Sequence, residues 1–211
     1  MNRVVKTVLR AVFRPDKNGQ LLESQLTSGL WTRVFAGLIL FGLMFGLTSI
    51  LQAFSGNIPA IPLTLPLGLE NYFVWQAVLF VPWLVLSWLL VSWLAGLTLE
   101  MLGAKKFSWR QLSAGLALGL YPFLFWLWVP HFFTSALYLL GMSQKEWVDL
   151  LSNPGWFQTL YISLIVIALF SGWLSTCLTV SARRWVKRGA SLLVSSLSYL
   201  VWVFFIFVLL R

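Results

Sequence analysis

Polar and apolar positions alternate along this chain on two length scales. Over residues 1–14 the alternation is helical. Val4, Val5, Val8, Leu9, Val12 and Phe13 fall on one side of a helix and Arg3, Lys6, Arg10 and Arg14 on the other. That pattern predicts a basic amphipathic helix lying in a headgroup layer. Pro15 ends it, because proline cannot continue a helical hydrogen-bond ladder. Residues 16–28 are polar and carry a turn signal at Lys17-Asn18-Gly19, so they read as a linker. Beyond Arg33 the scale lengthens, with uncharged runs at 34–69, 71–99, 111–144, 150–182 and 189–210. A helix needs about 20 apolar residues to cross a bilayer core, and lipid offers backbone polar groups no partner except one another. The runs therefore predict five transmembrane helices, at about 34–54, 73–102, 111–140, 156–180 and 190–210.

The connections follow from what interrupts the runs. Residues 55–72 contain Pro59, Pro62 and Pro66 and should form an extended outer loop. Residues 103–110 and 181–189 are tight basic loops, and 141–155 is an outer loop turning at Asn153-Pro154-Gly155. Pro82 interrupts the second span, and Pro122 and Pro130 should kink the third. The expected fold is all-α: one bundle of five spans over 34–210, preceded by a cytoplasmic basic amphipathic segment and linker over 1–33.

Charge gives the bundle an orientation. Arg3, Lys6, Arg10, Arg14, Lys17 and Arg33 precede the first span. Lys105, Lys106 and Arg110 follow the second, and Arg183, Arg184, Lys187 and Arg188 follow the fourth. Only Lys145 and Arg211 fall on the other side. Cytoplasmic loops carry the Lys and Arg excess, so the N-terminus is expected in the cytoplasm and the C-terminus outside.

Composition removes several classes. The chain is 59% hydrophobic and 10% charged, whereas soluble domains carry about 25% charged residues. The net charge of +9 sits at span ends, where it meets anionic lipid, and not in the aromatic-interleaved stripe of a nucleic-acid binder. No nucleic-acid partner is expected. Cys177 is the single cysteine, which excludes an intrachain disulfide or a paired-cysteine metal site. Ala53-Phe54-Ser55 has the look of a cleavage site, but the polar stretch before the first run is 33 residues long. A signal core spans only about 7–15 residues, so 34–54 reads as an uncleaved span. A transit peptide would also be basic and acid-poor, but a multispan core follows this segment directly.

Small residues mark where helices can approach. Gly42 and Gly46, Gly115 and Gly119, Ser92 and Gly96, Ser171 and Ser175, and Ser191 and Ser195 share a four-residue spacing. Close backbone approach is how helices gain packing energy in lipid. With such pairs in every span, one compact bundle is expected. Trp31, Trp75, Trp109, Trp147, Trp156 and Trp185 lie near span ends, where an indole finds both apolar and wet surroundings.

Ionisable groups inside a membrane are candidates for function because burying them is expensive. Four polar side chains form the candidate site. Glu70 precedes the second span, Glu100 ends it where Lys105 or Lys106 could pair with it, and Tyr121 and His131 lie in the third beside Pro122 and Pro130. The Pro130 kink could free a backbone carbonyl for His131. A path joining Glu100, Tyr121 and His131 would suit a small transporter or channel component. His131 with Glu70 and Ser135 would suit a membrane-embedded hydrolase. No metalloprotease, nucleophile-elbow or phosphate-loop motif occurs, and no catalytic residue, metal or cofactor is expected.

Four local patterns carry a likeness. Pro15 lies in a short basic segment before the first span. Glu70-Asn71-Tyr72 approaches the second, Gly103-Ala104-Lys105-Lys106-Phe107 follows it, and the third opens into Gly119-Leu120-Tyr121-Pro122. With the five-span layout these resemble the Yip family, more closely its bacterial members, over about 34–210. The Asp-Leu-Tyr-Gly-Pro motif of eukaryotic members is absent and the N-terminal segment is short, so Rab binding does not carry over. The resemblance implies a non-enzymatic, multi-pass protein of the bacterial inner membrane, with a cytosolic N-terminus, acting as an organiser or adaptor. Its expected contacts are the lipid bilayer, anionic lipid at the cytoplasmic face, and a membrane-protein partner or a second copy of the chain. Arg3, Lys6, Arg10 and Arg14 are the expected membrane-surface residues.

Overall fold

Runs too long and too apolar for a soluble core fold here as helices. The computed structural model describes residues 3–24, 29–55, 71–104 and 107–210. In chain order the helices are α1 (Arg3–Phe13), α2 (Asn18–Ser24), α3 (Gly29–Phe54), α4 (Tyr72–Met101), α5 (Trp109–Leu139), α6 (Gln144–Ser152), α7 (Trp156–Ser181) and α8 (Arg188–Leu210), with a 3-10 turn at Pro15–Lys17 between α1 and α2. Helices α3, α4, α5, α7 and α8 are long and apolar enough to cross a membrane, and they match the five predicted spans to within a few residues. Large side chains such as Leu43, Leu47, Leu86, Val166, Phe170 and Phe204 are exposed along them. Apolar surface on that scale belongs against lipid.

The ends of two spans are set by glycine. After α4 the Gly103 amide bonds the Glu100 carbonyl and the Ala104 amide bonds Leu99. After α5, Gly141 and Met142 repeat the pattern on Tyr138 and Leu137. This is the Schellman arrangement, which needs a left-handed residue. Gly103 at φ +83 and Gly141 at φ +96 supply it without a Cβ clash.

Helix α5 is the axis of the bundle. In its most apolar window 78% is buried, against 33% in α4 and α7. Around it stand α3, α4, α8 and α7, each packed on the next. Both glycine pairs work inside the chain. A Cβ on Gly42 would meet Val81 at 2.8 Å and one on Gly46 the Ala77 carbonyl at 3.1 Å, so these two glycines hold α3 on α4. A Cβ on Gly119 would stand 2.6 Å from the Thr176 Cα and one on Gly172 2.5 Å from the Phe123 Cβ, so a glycine on each helix lets α5 and α7 approach closely. Aromatic side chains fill the rest. Phe45 stacks on Phe80 at 4.6 Å, and Phe123 meets Tyr199 and Trp202 of α8 edge-on.

Between α7 and α3 one position beside α5 is left by the spans, and the N-terminal segment fills it. The sequence suggests a polar linker over 16–28; its described part is instead a packed element. Asn18 is 0% exposed, Leu21 and Leu22 are buried, and a Cβ on Gly19 would come 2.7 Å from the Ala182 Cβ. Helix α1 lies on α3 and α5, burying Thr7, Val8, Ala11 and Val12. The outer connection 141–155 also differs from the expected loop. It contains α6, started by a reciprocal capping box between Ser143 and Glu146. The proline-rich stretch expected to form the outer loop lies mostly outside the described residues, at 56–70.

Candidate functional site

One group of buried polar side chains lies at the end of the bundle away from the basic loops. Helix α8 ends there, and its last carbonyls have no helical partner. In lipid such a group needs a protein donor. Leu209 receives two: the Tyr72 hydroxyl at 3.2 Å and the Gln76 Nε2 at 3.1 Å. A carbonyl only accepts, so this contact fixes the Gln76 amide and turns its Oε1 towards α3. The Ser49 hydroxyl donates to that oxygen at 2.8 Å. Ser49 Oγ then has only lone pairs left for His131 Nε2 at 3.4 Å, so the ring must donate from Nε2. The directions of the whole chain, from His131 through Ser49 and Gln76 to Leu209, follow from one carbonyl.

A second branch joins α3 to α5 directly. Gln52 Nε2 donates to Ser135 Oγ at 3.0 Å, and the Ser135 hydroxyl points at the Thr48 and His131 carbonyls at 3.1 and 2.9 Å. Ser49, Gln52, Gln76 and Ser135 are buried, and His131 is half-buried. The network therefore ties α3, α4, α5 and the last turn of α8 together through neutral groups. Among these residues sequence reasoning reached His131 and Ser135, but not Ser49, Gln52 or Gln76. The available signal was the pair of glutamines, since Gln52 and Gln76 are the only amide side chains inside the first two predicted spans.

The structure separates the candidates that the sequence grouped. Tyr121 donates its hydroxyl to the Val34 carbonyl at 2.6 Å and packs on Phe41. Ten residues of α5, about 15 Å of helix, divide it from His131, and Phe45 packs on the imidazole. Glu100 is exposed at the end of α4. The expected path through Glu100, Tyr121 and His131 therefore does not form. Phe41 and Phe45 occupy the space between because α3 presents aromatic side chains to α5 at that depth. The carbonyl expected to receive His131 is replaced by the Ser49 hydroxyl. Ser135 meets the His131 carbonyl rather than its ring, so the Ser135–His131 pairing of a hydrolase is not made either. Glu70, Lys105 and Lys106 lie outside the described residues. Among the described residues no three His, Cys, Asp or Glu side chains converge on one point.

The opposite end is cationic. Arg3, Lys6 and Arg10 are exposed on the edge of α1 turned away from its buried face, and Arg14, just past its end, is exposed as well. Val5, Leu9 and Phe13 form a third, apolar strip between the two, with Leu9 39% and Phe13 58% exposed. At the same end, Arg183 holds the last basic loop to α5 by donating to Gln111 Oε1 at 2.7 Å. Helix α1 can thus offer cations and an apolar strip to the same bilayer leaflet while its remaining face is held by protein.

Compared with protein-family models, curated proteins and solved structures, the chain gives no match.

Proposed function

We propose that this multi-pass membrane protein is a non-enzymatic organiser or adaptor of the Yip type, working in a bacterial inner membrane with its N-terminus in the cytoplasm. It holds anionic lipid at that face and engages a membrane-protein partner or a second copy through its lipid-facing helices. One observation carries the reading: α1 is docked on the bundle with Arg3, Lys6, Arg10 and Arg14 all directed outward. Cations on an interfacial helix attract anionic headgroups by about 1 kcal/mol each. The outer polar network supports the same reading, because its donors are turned onto protein acceptors and serve helix packing.

Titration of the purified protein with phosphatidylglycerol and with phosphatidylcholine tests this. The anionic lipid should bind several-fold more tightly, and the preference should weaken with added salt. It should vanish when the four cations are replaced by glutamine. Equal binding of both lipids, or a preference untouched by the four replacements, would overturn the reading. Flux above empty vesicles in reconstituted protein would favour a transporter instead.

A further inference from the structure

The N-terminal segment buries a polar group that its surroundings do not satisfy. Asn18 is fully enclosed between α5 and α7, yet its Nδ2 reaches the Leu118 carbonyl and Ser175 Oγ only at 3.4 and 3.5 Å. Its Oδ1 has no hydrogen-bond partner. Turning the amide over would set an oxygen against the Leu118 carbonyl, so the orphan cannot be cured in place. A buried acceptor without a donor loses its hydration and recovers nothing. The face that α1 buries is made of small side chains, Thr7, Val8, Ala11 and Val12, while Leu9 and Phe13 stay outside. The groove it occupies suits it closely: a Cβ on Gly37 would run into Val8 and the Tyr121 hydroxyl, and one on Gly115 would stand 3.2 Å from Leu22.

We propose that residues 3–24 form a strap that anionic lipid releases from the bundle, uncovering the groove between α3, α5 and α7. The direction follows from differential affinity, since a ligand shifts an equilibrium only by binding one state better. Docked, α1 offers lipid its four cations and the strip of Val5, Leu9 and Phe13. Undocked, it offers the same cations together with Val8, Ala11 and Val12. The anionic surface therefore binds the undocked helix more tightly, and Asn18 regains water. The short α1 has little helical stability alone, but a bilayer can hold it helical as the bundle did. This inference rests on the lipid-binding reading and adds a conformational consequence to it.

The test uses the full chain with Cys177→Ser, which removes its single cysteine. Asn18→Cys or Leu22→Cys reports on the buried strap, and Gln20→Cys, on the exposed side of α2, is the reference. Labelling by a membrane-impermeant maleimide is followed in nanodiscs of phosphatidylcholine, with or without phosphatidylglycerol as a third of the lipid. The reference should react equally in both. The two buried positions should react slowly in phosphatidylcholine and several-fold faster with phosphatidylglycerol. That acceleration should be lost when Arg3, Lys6, Arg10 and Arg14 are glutamine. Because Asn18→Cys removes the orphan amide itself, Leu22→Cys must show the same change. Buried positions that stay slow with phosphatidylglycerol, or that match the reference without it, would overturn the proposal, as would acceleration that survives the four replacements. Lipid binding measured on the same samples separates the two ideas: phosphatidylglycerol bound without release defeats the strap alone, whereas none bound defeats the lipid-binding reading too.

Discussion

Gln76 shows how much one polar residue can decide inside a membrane. Its amide donates to the last turn of α8 and accepts from α3, so a single side chain on α4 fixes three helices and orients the His131 ring. A double-mutant cycle of Ser49→Ala and Gln76→Leu should give a favourable coupling of about 0.6 kcal/mol, the average for interhelical hydrogen bonds in lipid, and no more than about 1.7 kcal/mol. Chemical unfolding in mixed micelles reads it, and additive effects would mean the bond is not made. Gly119 is decided by space. Its missing Cβ lets the Thr176 backbone approach, and backbone cannot move aside as a flexible side chain can. Gly119→Leu should destabilise the bundle by roughly 1–3 kcal/mol, as overpacking does. Gly103→Ala should act differently, through its left-handed backbone, since nothing stands within 4 Å of its Cβ position.

At the scale of elements, α6 is held to its start by charge. Glu146 accepts the Ser143 amide and hydroxyl, each at 2.8 Å, while its own amide donates back to Ser143 Oγ at 3.3 Å. The bond from the Ser143 backbone, then that from its hydroxyl, holds the Glu146 carboxyl below the usual carboxylate range. A depressed folded pKa means that the stabilisation is present above the unfolded value and lost as pH falls through the folded one. The amide signals of Ser143 and Glu146, followed by nuclear magnetic resonance in an Asp149→Asn background, should titrate with a midpoint below that of a free glutamate. Glu146→Gln keeps a side chain able to close the box and should give a flat profile. This capping box was legible in Ser143-Gln144-Lys145-Glu146 as a serine three residues before a glutamate, within a stretch that otherwise reads as a loop. No comparable signal marked Asn18. A turn-forming triplet in a polar stretch gives no hint that its middle residue is enclosed by helices about a hundred positions away.

For the molecule as a whole, the sorted charges make a prediction that does not depend on the packing. Single cysteines at Ala104 and Asn153 should label from opposite sides of the membrane, Ala104 from the cytoplasm, in spheroplasts and in inverted vesicles. Labelling of both from one side would refute the alternating arrangement of spans. The central place of α5 makes a second prediction. Substitutions on its buried positions, such as Leu116 or Leu124 to Ala, should destabilise the bundle by about 2–5 kcal/mol. The same change at lipid-facing Leu47 or Leu86 should have little effect. The five spans were legible because the requirement is one-dimensional. A bilayer demands a long apolar stretch with its backbone bonded internally, and each run meets that demand by itself. The grouping of Glu100, Tyr121 and His131 failed because kinks and sequence proximity do not say which helix faces which. Phe41 and Phe45 fill the gap that grouping needed. Composition and charge thus determined by themselves the helical class, the span boundaries and the expected orientation. Only the tertiary structure decided that α5 is the axis, that Gln76 and Ser49 give His131 its direction, and that the described part of the supposed linker packs on the bundle. The partner of a polar side chain in lipid lies on another helix, and the choice among helices is made by packing in three dimensions.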